Sequence, residues 1–255
     1  MESFGCLRNN GYFCEKEKIT LMADWEIIHI KETDSTNRWI QEAKLKEQMT
    51  CVCADYQTAG RGCGTNKWES ERGKNLTFSM LIHPKNIPVT QQFNISIAVS
   101  LAICEALSRH IGDLSIKWPN DIYWRNSKIA GILIEHTLQG CVIKNSIIGV
   151  GVNVNQRVFH SDAPNPVSLW QICKHETDCK QLLNDILHTF EKYLAKDNRE
   201  LYLSMLYRRH GFYPYCDLNG TFMAEFVTVE PDGHLLLRDD IGRERRYAFK
   251  EVSYV

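Results

Sequence analysis

Two lysines, Lys117 and Lys128, flank the pair Asn120-Asp121 within SIKWPNDIYWRNSKIAGILIEH, residues 115–136. An ammonium is a compact donor for phosphate oxygens and a carboxylate is a hard oxygen ligand. The four together could hold a polyanion with a metal ion, or they could be the solvated end of a charged hairpin. A second chemical stretch, YQTAGRGCGTNKWESERGKN at 56–75, holds four glycines, two arginines, two lysines and a tryptophan. Its glycines permit close backbone approach, so successive N–H groups could wrap an anion while Arg61 offers a fork for a carboxylate or phosphate. The stretch lacks the Gly-Lys-Ser/Thr ending of a Walker loop and does not have the glycine spacing that opens a dinucleotide-binding helix. A third stretch, Asp34-Ser35-Thr36-Asn37, sits at a helix start. Unpaired amides and short polar side chains there could bind a small polar or anionic group, or Ser35 and Asn37 could merely cap the helix.

The elements that must position these groups follow from patterning. Strands are expected around 25–30, 50–55 and 76–83, and a helix after Asp34 or Ser35 with Trp39, Ile40 and Ala43 on its apolar face. Thr90 is expected to cap a long core helix carrying Phe93, Ile97, Leu101 and Cys104, which Gly112 stops. Apolar runs at 115–118 and 129–136, broken by Pro119 and Arg125-Asn126-Ser127, predict a strand, a turn and a strand. Residues 141–155 read as a buried strand in which Gly149 and Gly151 leave room for a ligand or a neighbouring backbone, and 180–209 carry helical spacing. From Cys216 the pattern changes to short strands punctuated by Asn219-Gly220, Pro231-Asp232-Gly233 and Ile241-Gly242. A small β-barrel fits this segment; its own core would be thin, so it should pack on the larger domain.

Composition narrows the class. A chain of 255 residues with 44% hydrophobic residues can build one large core or a main domain with a small one. A net charge of -1 gives no basic field for sequence-independent nucleic acid binding. The ten cysteines are scattered, and Cys51-Val52-Cys53 has no second pair at zinc-site spacing, which predicts reduced thiols and no structural metal. Residues 1–24 lack the apolar core of a signal peptide and no run of eighteen apolar residues occurs, so a cytoplasmic protein with an N-terminal extension and no membrane partner is expected.

Five motifs in order resemble the biotin protein ligase family: Asp34-Ser35-Thr36-Asn37, the 57–68 loop with Gly60-Arg61-Gly62, Lys117-Trp118-Pro119-Asn120-Asp121, the run Lys128-Ile129-Ala130-Gly131-Ile132-Leu133-Ile134-Glu135, and Gly149-Val150-Gly151-Val152-Asn153. The resemblance covers about residues 25–255 and implies an α+β fold: a mixed-sheet catalytic domain with flanking helices, here 25–212, and an SH3-like barrel, here 213–255. The implied activity is condensation of biotin with ATP to biotinyl-5'-adenylate and pyrophosphate, then transfer of biotin to a lysine of a biotin carboxyl carrier protein or domain. By resemblance Ser35, Thr36, Asn37, Gln57, Gly60, Arg61, Gly62, Cys63, Lys128 and Gly131 lie at biotin. Arg61, Trp68, Lys117, Asn120, Lys128 and Asn153 lie at ATP or the adenylate, with Trp68 stacking and Asn153 making edge contacts. Lys128 and Arg61 are the expected catalytic cations. Asp121 either holds Mg²⁺ or orients the acceptor lysine, while Gly131 and Gly151 are expected to permit close ligand approach.

Two departures from the family pattern matter. Where relatives carry arginine or glutamine followed by a basic residue and glycine, this chain has Cys63-Gly64-Thr65, so weaker retention of the adenylate is expected. Residues before Trp25 are too few for a DNA-binding winged helix, which predicts the short form without repressor activity, as a monomer or weak homodimer. The competing readings are a lipoate protein ligase, which shares the fold and the adenylation step, and a non-catalytic biotin or adenylate-binding regulator.

Overall fold

The structure is a computed structural model that describes residues 25–255 other than 44, 46, 47 and 86. The expected extension at 1–24, with Cys6 and Cys14, lies outside the described residues. A seven-stranded mixed sheet forms the larger body. In chain order its strands are β1 (Glu26–Ile30), β2 (Thr50–Ala54), β3 (Leu76–Ile82), β4 (Leu114–Lys117), β5 (Asp121–Trp124), β6 (Ser127–Gln139) and β7 (Val142–Val152), and the spatial order is β1-β2-β3-β7-β6-β5-β4. β1 and β2 run parallel, joined through helix α1 (Thr36–Glu42), and the other neighbours are antiparallel.

Two expectations are corrected here. Residues 115–136 form three strands rather than two, because Ile122 is fully buried opposite Ile116 and gives 121–124 a strand of its own, which the Asn120-Asp121 pair masks in the sequence. Thr90 does not cap the core helix. It lies in a 3-10 turn, Val89–Gln91, which runs into helix α2 (Phe93–Ser108) through Gln92, already helical at φ -55 and ψ -27.

The sheet has two unlike faces, as the two-residue period of a strand requires. Phe78, Met80, Ile148, Val150 and Val152 turn to one side and join the main apolar cluster with α2, in which 13 of 16 residues are buried. A helix buried on this scale is apolar all round, and α2 is covered in turn by α4 (Cys179–Leu194) and α5 (Arg199–Ser204), the second helical segment being preceded by the short α3 (Leu169–Cys173). The other face carries Val52, Leu81 and Ile147 under Ile40 of α1, but next to this small cluster it is polar or bare: Ser79, Gly149 and Gly151.

The C-terminal residues form a five-stranded antiparallel sheet from β8 (Phe212–Asp217), β9 (Gly220–Val229), β10 (Leu235–Asp239), β11 (Glu244–Tyr247) and β12 (Ser253–Tyr254), in the order β11-β10-β9-β8-β12. Its buried Tyr215, Val229, Leu235, Leu237 and Tyr247 belong to the same apolar cluster as α2, so it packs on the larger body as its thin core demands. The cysteines among the described residues are free; burial pushes the Cys53 and Cys104 thiols up to about 12, which leaves them inert. Among the described residues no helix is long and apolar enough to cross a membrane.

Candidate active site

The bare face of the sheet is made by register. Gly131 of β6 pairs with Gly151 of β7, and Gly149 pairs with both Leu133 of β6 and Ser79 of β3, so three glycines and a serine share one side. The hollow over Gly131 and Gly151 is filled by a side chain of the protein itself. A Cβ on Gly151 would stand 2.3 Å from Cε2 of Trp68, and one on Gly131 would stand 3.0 Å from Cζ3 of the same indole. Gly131 and Gly151 therefore make room for Trp68, and Gly131 for the end of the Lys128 side chain as well. Gly149 does the same for Asn37, whose Oδ1 would be 2.3 Å from an added Cβ.

Asn37 is the hub of a buried polar net. Ser79 Oγ lies 2.6 Å from both Asn37 Oδ1 and Thr36 Oγ1, Asn37 Nδ2 donates to Glu135 at 2.7 Å, and Gln57 Oε1 accepts from the Thr36 amide at 2.9 Å and its hydroxyl at 3.2 Å. Ser35, Thr36, Asn37 and Ser79 are all buried. The capping alternative fails for Ser35, which makes no side-chain cap bond, and for Asn37, which reaches across to β6. Glu135 links this net to the glycine loop, since its other oxygen pairs with Arg61 at 3.1 Å. The loop is a narrow hairpin: Arg61 bridges Lys67, Gly62 N donates to Asn66 O at 2.8 Å, and Trp68 N donates to Gly60 O at 2.9 Å. Gly60 is needed for that closeness, because a Cβ there would meet the Trp68 carbonyl at 2.6 Å.

At the other end of the site the groups are charged and half-exposed. Lys128 pairs with Asp121 at 2.7 Å and sits 5.9 Å from the Trp68 ring centroid. Lys117 donates to the Tyr123 hydroxyl at 3.2 Å and lies over the rings of Tyr123 and Tyr254. Burial lowers the Lys117 pKa; Asp121 opposes that shift, while Lys128 and Arg208 add to it. Asn120 is turned toward α2, where it donates to Ser96 at 3.1 Å. Asn153 is 2% exposed and donates to the Val167 carbonyl at 3.1 Å, but its Oδ1 is buried without a partner, as is Trp68 Nε1. An orphan acceptor and an orphan donor at one site suit the edge of a heterocycle.

All of the candidate residues except Gly60, which supports Trp68 from beneath, line one cavity of about 1280 Å³. That exceeds the roughly 300–1,000 Å³ of a pocket for one small ligand and leaves room for two. Sequence reasoning missed part of its wall. Ser79 and Glu135 do not line it but hold Asn37 from behind, Ser79 from β3 and Glu135 from β6. Tyr254, Phe249 and Lys250, which come from the C-terminal sheet, do line it and carried no signal in the sequence. That sheet is fastened to the site by Trp118 Nε1, which donates to Gly233 O at 2.9 Å, and by Phe93, which lies 2.7 Å from where a Cβ on Gly233 would be.

A mixed sheet with a glycine-lined polar face, a cation-rich rim and a second small sheet closing the cavity define this site. Residues 29–153 match the model of the biotin/lipoate A/B protein ligase family. The chain is 30% identical over 222 residues to the bifunctional ligase/repressor BirA of Bacillus subtilis, a match covering 78% of this chain and 64% of that protein. It is 27% identical over 234 residues to the biotin--[acetyl-CoA-carboxylase] ligase of Paracoccus denitrificans, covering 84% of this chain and 95% of the relative. Among solved structures, the biotin protein ligase from Aquifex aeolicus in complex with biotin and ATP superposes with a TM-score of 0.75 at 27% identity, over 89% of this chain and 97% of the other. Residues 29–153 thus form a domain of the biotin/lipoate A/B protein ligase type. The chain spans just under two thirds of the Bacillus subtilis relative's length.

Proposed function

We propose that this protein is a biotin protein ligase: it joins biotin to ATP as biotinyl-5'-adenylate, releases pyrophosphate, and transfers biotin to a lysine of a biotin carboxyl carrier protein or domain, such as that of acetyl-CoA carboxylase. The observation that carries the reading is the division of one cavity into a largely buried net of hydrogen-bonding groups and a rim of cations. A ureido ring is neutral and needs donors and acceptors held in place, which Thr36, Asn37 and Gln57 offer, with Ser79 fixing Thr36 and Asn37 from behind. A carboxylate meeting an α-phosphate brings two anions together and needs fixed positive charge, which Arg61 and Lys128 offer.

In this reading the biotin carboxylate oxygen attacks the α-phosphorus. The bond from that phosphorus to the bridging oxygen breaks, and pyrophosphate departs with the electron pair. Asp121 keeps the Lys128 ammonium at the rim, and Trp68 with Asn153 holds the adenine. Mg²⁺ arriving with ATP fits a site with one carboxylate beside the phosphates, because Asp121 has one oxygen on Lys128 and a second one to offer; the ion supplies charge neutralisation. In the second half-reaction the acceptor amine attacks the acyl carbon and AMP leaves. Asp121 is equally placed to orient that amine. Residues 25–212 form the catalytic domain and 213–255 the closing domain in this proposal, and the setting is cytoplasmic.

The test is ATP–pyrophosphate exchange with biotin, with lipoate and with no acid. Exchange that requires biotin is expected. Exchange with lipoate alone would move the protein to the sister activity, and nucleotide binding with no exchange would make it a binding regulator.

A further inference from the structure

The loop that should close over the phosphates lacks its own cation at Cys63-Gly64-Thr65. The structure brings one there from elsewhere in the chain. Lys250, in the turn between β11 and β12, lies against Gly64: a Cβ built on that glycine would be 2.3 Å from Lys250 Nζ and 3.6 Å from its Cε. Gly64 is at φ +68, and the neighbouring Cys63 and Thr65 line the same cavity as Lys250.

Three observations point the same way. Lys250 is itself held at φ 73, a conformation that costs a side-chain-bearing residue on the order of 1 kcal/mol, so the turn spends stability on aiming this side chain. Arg61, Lys128 and Lys117 are committed, to Glu135, Asp121 and Tyr123, whereas Lys250 has no ion pair among the described residues; Lys67, at the base of the loop hairpin, also lines the cavity without one, but it is Lys250 that lies against Gly64. Its neighbours Phe249 and Val252 also line the cavity, and Phe249 packs edge-on against Trp118 at 6.1 Å between ring centroids, so the turn that carries Lys250 is anchored to the Lys117–Asp121 motif.

We infer that Lys250 is a phosphate-binding residue, supplied by the C-terminal sheet in place of the missing loop cation, and that it holds the polyphosphate of ATP. This rests on the ligase reading for its role in turnover but not for the contact itself. The contact comes from a residue almost two hundred positions further along the chain than the loop it completes.

The test uses Lys250→Gly, because glycine takes φ 73 without strain, which offsets the freedom it adds to the unfolded chain. ATP and adenosine affinities are measured by calorimetry on the full chain. Loss of one charge-assisted contact should weaken ATP binding about tenfold and leave adenosine binding unchanged, with Lys250→Arg near wild type. Adding Cys63→Arg to Lys250→Gly should restore ATP affinity by returning a cation to the loop. Equal ATP affinities in wild type and Lys250→Gly would overturn the inference, and so would equal losses for ATP and adenosine. Biotin-dependent exchange by wild type beside an unchanged Lys250→Gly affinity would sink Lys250 alone. A Lys250-dependent ATP affinity without exchange would sink the ligase reading alone.

Discussion

The two ends of the cavity are built on opposite principles. At the acid end the polar groups are largely buried and bonded to one another: Ser79, Thr36, Asn37 and the part-buried Gln57 form a net that Glu135 joins to Arg61. At the nucleotide end Lys117, Asp121 and Lys128 are half-exposed and charged; Lys128 and Asp121 pair with each other, and Lys117 rests on Tyr123 and Tyr254. Such a net fixes shape at the cost of desolvation already met on folding, which suits recognition of an uncharged ring. A cluster of accessible charges keeps its electrostatic strength for the moment when anions meet.

The contrast can be broken in several ways, the most severe first. Lys128→Ala is expected to reduce biotin-dependent exchange about 10³-fold, the scale of losing a charge that stabilises the transition state, while biotin affinity changes far less. Parallel exchange kinetics and biotin titration would check this, and an equal fall in both would mean that Lys128 belongs to the acid end.

Two glycines sharpen the division. Gly151→Ala forces the Trp68 indole out of its hollow and should cost about 1–3 kcal/mol of nucleotide binding with biotin binding kept. Gly149→Ala displaces Asn37 instead, with the loss of similar size falling on biotin. Calorimetry with each ligand separates them, and a variant that loses both ligands would show that the ends are not independent.

Ser79→Ala removes a bond to Asn37 and to Thr36 and leaves a buried acceptor unmet, so it should lower unfolding stability by about 1–2 kcal/mol in denaturant titration. No change would mean that the net is not bonded as described.

The smallest effect concerns pH. Burial holds the Lys117 pKa below its ordinary value of about 10.4. With the folded pKa below the unfolded one, the unfolded chain binds the extra proton between the two values, so stability tied to this group rises with pH across that window. Lys117→Met should therefore compare most favourably with wild type near about pH 7 and lose ground toward about pH 10. Thermal midpoints of both proteins at the two pH values test this, and a difference that does not vary with pH would refute it.

Much of the site was legible because its chemistry is local. Asp34 to Asn37, the glycine loop and Lys117 to Lys128 each carry their message in a few adjacent residues, and register then brings them together. What was not legible depends on strand partners. Nothing near Gly131 says that Gly151 will pair with it, and so nothing says that the vacancy belongs to Trp68. Ile122 was hidden by the polar pair before it, and Ser79 is informative only once Gly149 is seen opposite. Lys250 is the extreme case, because its meaning lies wholly in a contact with Gly64.

The hydrogen bond from Trp118 to Gly233 has a consequence for how the protein comes into being. It joins the central motif to a sheet made from the last part of the sequence, so the cavity cannot be complete in any chain that has not yet folded residues 212–254. Contacts of such long sequence separation form late, after the local strands and helices have condensed. During synthesis the larger body can therefore exist for a time with its polar face formed and its far wall missing.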